Sequence, residues 1–398
     1  MDLKIFPSKL YGTIKANPSK SQAHRLLICA AFSDKPTELI CHDTNEDILA
    51  TVDCLNAIGA KIHRTKSGYY VEPITDVPKI ATIYCKESGS TLRFMLPIVC
   101  ALGIETTIHM SGRLSQRPLS PLWEELERMG CNLQSPTNNT IQTTGRLHSG
   151  TYHIEGNISS QFITGLLFAL ALLDECSNIQ ISGKLESRPY VEMTQKVLAY
   201  FGVKTDNYIV EGSFPFTSPE NVTVEGDWSN AAFFLAAKAM GNRVEVTNLN
   251  EDSPQGDRII QRILENSTNF QEISAVDIPD LVPIMAVYFA TKGGAVFKDI
   301  QRLRFKESDR IASVSGLLRA LGIEVSSDES TLSVKSGSFS GGIIDACGDH
   351  RIAMAAAIAA TCATEPIIIL GAECVNKSYP AFWQEYQRLG GKYEQYIR

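Results

Sequence analysis

Leu55-Asn-Ala-Ile-Gly59 is a hydrophobic-x-x-hydrophobic-Gly phrase that returns as Leu126-Glu-Arg-Met-Gly130, Leu198-Ala-Tyr-Phe-Gly202, Leu318-Arg-Ala-Leu-Gly322 and Tyr386-Gln-Arg-Leu-Gly390. A glycine directly behind an apolar helical run is a common helix stop, because glycine enters the left-handed region without a Cβ penalty. The five glycines stand 71, 72, 120 and 68 residues apart, so one copy between Gly202 and Gly322 is degenerate or shortened. The chain therefore reads as one small module used six times.

A second series runs in step with the first. Small or polar residues open apolar helices at Pro18-Ser-Lys-Ser-Gln22, Ser88-Gly-Ser-Thr91, Ser159-Ser-Gln161, Gly226-Asp-Trp-Ser229, Pro279-Asp280 and Gly348-Asp-His-Arg351. The stretches behind them, such as Leu92 to Leu102 and Ile352 to Ala360, are apolar almost all round, which marks buried helices. The free N–H groups and positive dipole end of such a helix suit an anion, and converging ends would make an anion site. Short β-rich runs lie between the helices, among them Glu38 to Cys41, Lys61 to Ile74, Thr106 to Met110, Arg243 to Thr247 and Pro366 to Leu370. Strands alternating with helices give an α/β fold.

At 398 residues the chain suits two domains of roughly 150 to 200 residues, and six modules divide as three plus three. The shortened fourth module, beginning near Gly226, and the stretch Lys15-Ala-Asn-Pro18 are the expected crossings. Residues 16–226 then form one domain, and 1–15 with 227–398 the other. The alternative boundary lies near 215, at Phe214-Pro-Phe-Thr-Ser-Pro.

The formal net charge of −7 argues against a nucleic-acid surface, which normally leaves a basic footprint. The ten cysteines form no CxxC pair and no Cys/His ligand spacing, so they read as reduced core residues, not as a zinc site or a disulfide framework. The start, Met1-Asp-Leu-Lys-Ile-Phe-Pro, is strand-like and unlike a signal peptide, and no window reaches the ~18 apolar residues of a membrane span. A cytoplasmic protein is expected.

Lys20-Ser21 invites a P-loop reading, but Lys15-Ala-Asn-Pro-Ser19 lacks the glycines that the phosphate-cradling turn requires. Cations recur before the second helix of the modules: Arg113 and Arg117, Arg188, the run Arg302 to Arg310, and Lys377. Such repetition is improbable as surface decoration. His350 and Arg351 face the positive end of an Ala-rich helix, an arrangement that calls for an anionic partner. Asp280 reads either as a helix N-cap or as a base, and Glu307 either as the i,i+3 partner of Arg310 or as a proton carrier.

Ten motifs in order, including Ser19-Lys-Ser-x-x-x-Arg25, Ser88-Gly-Ser-Thr-Leu-Arg93, Gln116-Arg-Pro118, Ser159-Ser-Gln161, Ser187-Arg-Pro-Tyr190, Ile278-Pro-Asp280, Lys306-Glu-Ser-Asp-Arg310, Asp349-His-Arg351 and Lys377-Ser-Tyr-Pro380, resemble the 5-enolpyruvylshikimate-3-phosphate (EPSP) synthase family. The resemblance implies two similar domains, each of three βαβαββ repeats in an inverse α/β barrel-like arrangement, helices inside and sheets outside. It places the active site in the cleft between domains. The implied reaction moves the enolpyruvyl group of phosphoenolpyruvate to the 5-hydroxyl of shikimate 3-phosphate, through a tetrahedral adduct, with neither metal nor organic cofactor and in a monomer. It assigns Lys20, Ser21, Arg25, Ser159, Ser160, Gln161, Ser187, Tyr190, Asp280 and Lys306 to shikimate 3-phosphate. Phosphoenolpyruvate falls to Lys20, Gly89, Arg117, Gln161, Arg310, Arg351 and Lys377, with His350 in support. Asp280, Glu307 and Lys20 take the catalytic proton roles.

Two departures from the family pattern stand out: Asn17-Pro-Ser-Lys-Ser replaces the familiar Pro-Gly-Ser-Lys-Ser opening, and Lys86-Glu-Ser-Gly-Ser90 replaces Gly-Asn-x-Gly-Thr. The rival acceptor is UDP-N-acetylglucosamine, whose transferases resemble this chain in fold and reaction but carry a reactive cysteine before Arg-Pro. Gly112 to Pro118 contains none. An RNA 3′-phosphate cyclase, built on related modules, would call for a more basic surface.

Overall fold

The computed structural model describes residues 1–212, 214–266 and 269–397. The chain divides into two compact units, Pro18–Glu225 and Met1–Asn17 with Gly226–Arg398. Each unit has its own apolar core.

In Pro18–Glu225 the helices come in pairs: α1 (Lys20–Ala31) with α2 (Glu46–Ala57), α3 (Gly89–Leu102) with α4 (Leu122–Arg128), and α5 (Ser160–Leu170) with α6 (Arg188–Tyr200). The first member of each pair is buried almost all round, whereas the second keeps one face in solvent. Each pair belongs to a four-stranded sheet of one pattern. Ile80–Lys86 runs parallel to Glu105–Met110, which then takes Thr140–Gly145 antiparallel, with Cys131–Thr137 completing a hairpin. Buried and exposed residues alternate along Ile80–Lys86, the mark of a strand with one face on the core. This is the βαβαββ module. The run from Lys61 to Ile74 proves to be the corresponding hairpin of the first module, Lys61–Arg64 against Gly68–Glu72. That module borrows its opening strand from far along the chain, for Asn221–Thr223 pairs in parallel with Thr37–Ile40.

The other unit repeats the plan with α7 (Trp228–Ala239) and α8 (Ile259–Asn266), α9 (Val282–Ala290) and α10 (Arg310–Ala320), and α11 (His350–Ala360) and α12 (Phe382–Arg388). The N-terminal segment is tied into it by two sheets. Leu3–Phe6 sits between Ile367–Leu370 and Lys392–Gln395, and Tyr11–Lys15 pairs in parallel with Arg243–Thr247. This last sheet has two strands, and among the described residues no hairpin follows α8 before Gln271–Ser274 joins the next sheet. The fourth module is therefore the shortened one. Its second helix, α8, ends at Asn266 without the glycine phrase.

The repeated glycines stop helices for a steric reason. Gly59 and Gly130 lie at φ +114° and +113°, and a Cβ on either would meet a backbone carbonyl oxygen, of Asp76 or Arg146, at 2.6 Å. At the other ends, Ser19, Ser88, Ser159, Asp227 and Asp349 cap α1, α3, α5, α7 and α11 through their side chains. Of the two readings of Asp280, as a cap or as a base, the capping one is not taken up. Leu281 holds the cap position of α9, with no side-chain bond, and the Asp280 carboxylate is engaged elsewhere.

Candidate active site

Two ionic clusters stand at the openings of the buried helices, one in each unit. In Pro18–Glu225 the first turn and a half of α1 carries Lys20, Ser21 and Arg25. Arg25 is buried and donates to the Ser21 carbonyl oxygen at 2.6 Å, to Thr194 Oγ1 at 2.8 Å and to the Tyr190 carbonyl oxygen at 3.0 Å, so it joins α1 to α6. A longer contact of 3.4 Å reaches Thr164 Oγ1 on α5. Lys20 Nζ stands 2.7 Å from Asp47 Oδ2 of α2.

The opening of α3 is joined to that of α5 by a side-chain relay. Arg93 Nη1 donates to Gln161 Oε1 at 3.0 Å, Gln161 Nε2 donates to Ser90 Oγ at 2.9 Å, and Arg93 Nη2 reaches the Pro118 carbonyl oxygen at 3.0 Å. Gly89 lets the guanidinium groups come this close. A Cβ there would lie 2.6 Å from Arg117 Nη1 and 2.8 Å from Arg93 Nη1. Ser159 caps α5, and buried Ser160 opens it. Ser187 precedes α6 at φ +53°, in the left-handed region that serine adopts at a cost of about 1 kcal/mol or more, which is characteristic of functional turns.

In the other unit Arg310, at the first position of α10, is 1 % exposed and holds three carboxylates. Its Nη1 donates to Asp280 Oδ1 at 2.6 Å, its Nη2 to Glu307 Oε2 at 2.7 Å and its Nε to Asp349 Oδ2 at 2.8 Å. Arg351 Nη2 reaches Asp280 Oδ2 at 3.1 Å, and Lys306 Nζ lies 3.6 Å from Asp280 Oδ1. Burial alone would push the Asp280 carboxyl up, but Arg351, Lys306 and Arg310 together hold it well below the usual carboxylate range. For Lys306 burial wins, and its ammonium is pulled down to about 8 in spite of Asp280. Buried His350 opens α11 beside Arg351, and buried Lys377 ends the short helical turn Ala372–Lys377 that packs on that helix.

The expected residues thus fall into two groups. Lys20, Ser21, Arg25, Gly89, Arg117, Ser159, Ser160, Gln161, Ser187 and Tyr190 belong to one unit, and Asp280, Lys306, Glu307, Arg310, His350, Arg351 and Lys377 to the other. Three carboxylates in these clusters were given no site role from the sequence. Asp47 pairs with Lys20, and Asp349 both caps α11 and anchors Arg310. Asp257, hydrogen-bonded by Ser229, is pushed up to about 6 by burial and by the charge of Asp280, against the pull of Arg351. Among the described residues no group of three or more His, Cys, Asp or Glu is arranged to hold a metal ion, and no helix is long and apolar enough to cross a membrane.

Clustered Arg and Lys at helix N-termini, on a repeated α/β module, define a protein built to bind anionic substrates. The EPSP synthase (3-phosphoshikimate 1-carboxyvinyltransferase) family profile matches residues 6–386. The 3-phosphoshikimate 1-carboxyvinyltransferase of Clostridium kluyveri is 37% identical over 99% of this chain and 98% of the relative. That of Clostridium beijerinckii is 37% identical over 99% of each. In fold the chain is similar to EPSP synthase from Acinetobacter baumannii, with a TM-score of 0.78 over 99% of this chain and 100% of the other at 23% identity. The enolpyruvyl transferase NikO from Streptomyces tendae gives 0.77 over 99% and 98% at 16% identity. The chain belongs to the EPSP synthase family, and it is a transferase of aromatic amino-acid biosynthesis.

Proposed function

We propose that the chain transfers the enolpyruvyl group of phosphoenolpyruvate to the 5-hydroxyl of shikimate 3-phosphate, and that residues of both ionic clusters serve this one reaction. The observation that carries the assignment of roles is the Asp280 carboxylate, fixed by Arg310 at 2.6 Å and Arg351 at 3.1 Å. A carboxylate kept ionised and oriented in this way is placed to receive a proton once a substrate anion draws the cations away from it.

In the addition step the 5-hydroxyl oxygen bonds to C2 of phosphoenolpyruvate. Asp280 takes the hydroxyl proton, while Glu307, with Lys20, supplies a proton to the methylene carbon. In the elimination step that carbon returns a proton, the C2–O bond to phosphate breaks, and phosphate leaves. Lys20, Arg117, Arg310, Arg351 and Lys377 stabilise the charge that builds on carboxylate and phosphate oxygens. Ser21, Arg25, Ser159, Ser160, Gln161, Ser187, Tyr190 and Lys306 hold shikimate 3-phosphate. His350 supports Arg351, and Gly89 leaves room for phosphoenolpyruvate beside Arg117. In this reading the protein acts as a cytoplasmic monomer, which sedimentation would check.

The test is phosphate release from phosphoenolpyruvate with shikimate 3-phosphate as acceptor, and with UDP-N-acetylglucosamine as control. Release with the shikimate ester alone supports the reading. Release with the sugar nucleotide alone overturns the acceptor, and release with neither overturns the activity.

A further inference from the structure

Lys20 is the first residue of α1, where the positive end of the helix dipole disfavours an ammonium, and the first turn of α1 holds no acidic residue to offset it. The compensating charge comes from α2. The side chains of Lys20 and Asp47, 14 % and 6 % exposed, meet at 2.7 Å. Arg25, also on α1, adds a second cation to this neighbourhood, whereas His24 stays neutral, its imidazole pushed down to about 3 by burial.

One turn further along α2, on the same face, Thr51 sits in a buried chain of hydroxyls. His24 Nδ1 lies 2.7 Å from Thr51 Oγ1, Thr51 Oγ1 lies 2.7 Å from Thr91 Oγ1, and Thr91 Oγ1 lies 2.7 Å from Ser88 Oγ. His24 Nε2 is buried with no hydrogen-bond partner among the described residues, so the tautomer that wastes no donor carries its proton on Nδ1. The hydroxyls then donate in one direction: Nδ1–H to Thr51, Thr51 to Thr91, and Thr91 to Ser88. Ser88 caps α3, whose first residue is Gly89. A weaker contact of 3.4 Å from Thr91 Oγ1 to the Asp47 carbonyl oxygen closes the loop back to α2.

We propose that Asp47 and Thr51, one turn apart on α2, are positioning residues that fix Lys20 at the mouth of α1 and Gly89 at the mouth of α3 for the same transfer. Asp47 keeps the Lys20 ammonium charged and aimed. Thr51 sets the height of α3 against α1, and with it the height of the Gly89 opening that Ser88 caps. The inference rests on the functional reading above for its catalytic meaning, but the hold of Asp47 on the Lys20 ammonium can be read without it.

Two measurements test it on the full-length protein. Lysine labelled with ¹³C at Cε reports the titration of Lys20, its resonance assigned by its loss in Lys20→Arg. Asp47→Asn, nearly isosteric, is expected to lower the Lys20 pKa by a unit or more and to cut kcat/KM for phosphoenolpyruvate at least tenfold, with Asp47→Glu restoring much of both. An unmoved Lys20 titration overturns the Asp47 role, even if the wild-type protein proves inactive on this substrate pair. That inactivity would sink the functional reading separately. Thr51→Val is expected to raise KM for phosphoenolpyruvate severalfold with kcat retained, and Thr51→Ser to return it. A KM indifferent to Val, or a loss that Ser does not return, overturns the Thr51 role.

Discussion

Arg310 Nη1 lies 2.6 Å from Asp280 Oδ1, and the same guanidinium spends its Nε and Nη2 on Asp349 and Glu307. One cation therefore orders both carboxylates proposed to move protons. Removing a partner from so buried a network leaves the others uncompensated, a loss typically worth about 3–5 kcal/mol. Arg310→Met should accordingly lower thermal stability as well as turnover, whereas Asp280→Asn keeps the size and one acceptor oxygen but loses the charge and the acceptor for the second guanidinium, so its turnover is read on protein shown to be folded. Turnover of Asp280→Asn is expected to fall about 10²- to 10⁴-fold, the usual contribution of a positioned base. Near-normal turnover would refute the base assignment.

The lowered pKa of Lys306 makes a statement about pH. Its ammonium titrates near 8, so the charge offered to a substrate anion disappears as pH rises through that value. The KM for shikimate 3-phosphate should climb above about pH 8, with saturation by the anion moving the limb upward. Lys306→Arg, which stays protonated throughout, should flatten the limb. The stability effect has the opposite sign. Between about 8 and the unfolded value of 10.5 the unfolded chain binds more protons, so this group makes the fold more stable as pH rises. A KM profile that is flat across pH 7 to 9.5 in the wild type, at a constant substrate charge, would remove Lys306 from the binding set.

Much of this architecture is legible because its signals are local. A glycine after an apolar run stops a helix wherever it occurs, and Ser or Asp before an apolar run caps one. The repeat therefore announces itself before any tertiary contact is known. Pairings between distant residues leave no such mark. Asp47 stands 27 residues from Lys20, and Asp349 stands 39 from Arg310, so neither carboxylate belongs to the motif that carries its cation. Asp280, which the sequence reads either as a cap or as a base, shows the converse. Pro-Asp before a helix is a sound capping signal, yet three cations brought in by Lys306, Arg310 and Arg351 outbid the backbone N–H groups for its oxygens. The strand at Asn221–Thr223 is legible in the β-rich run from Val222 to Glu225, but its pairing with distant Thr37–Ile40 is not, for the same reason.

Asp257 is expected to act against the fold at neutral pH. Its pKa is raised from 3.8 to about 6, chiefly by burial and by the charge of Asp280. A raised folded-state value means that stability is fully present below about pH 4 and is lost as pH rises through about 6. Asp257→Asn retains an acceptor for the Ser229 hydroxyl and cannot ionise. It should gain on the order of 1 kcal/mol at pH 7.5, a few degrees in Tm, and gain little at pH 4. Thermal unfolding at the two pH values decides it, because an equal gain at both would mean that the carboxylate charge is not the cause.

Gly89 and Gly130 separate function from folding. A methyl group at Gly89 would press on Arg117 Nη1 at 2.6 Å and Arg93 Nη1 at 2.8 Å, both ends of long side chains that can swing aside. At Gly130 it would press on the backbone oxygen of Arg146 at 2.6 Å, from a residue at φ +113°, where nothing can yield cheaply. Gly89→Ala should therefore unfold within a degree or two of the wild type while its KM for phosphoenolpyruvate rises about tenfold, as the displaced guanidinium groups lose their aim. Gly130→Ala should lose about 1–3 kcal/mol of stability and, once folded, keep its KM. Measuring Tm and KM for both variants gives a crossed result if the reading is right. A Gly89→Ala protein with unchanged KM would show that the space beside Arg117 is not where phosphoenolpyruvate binds.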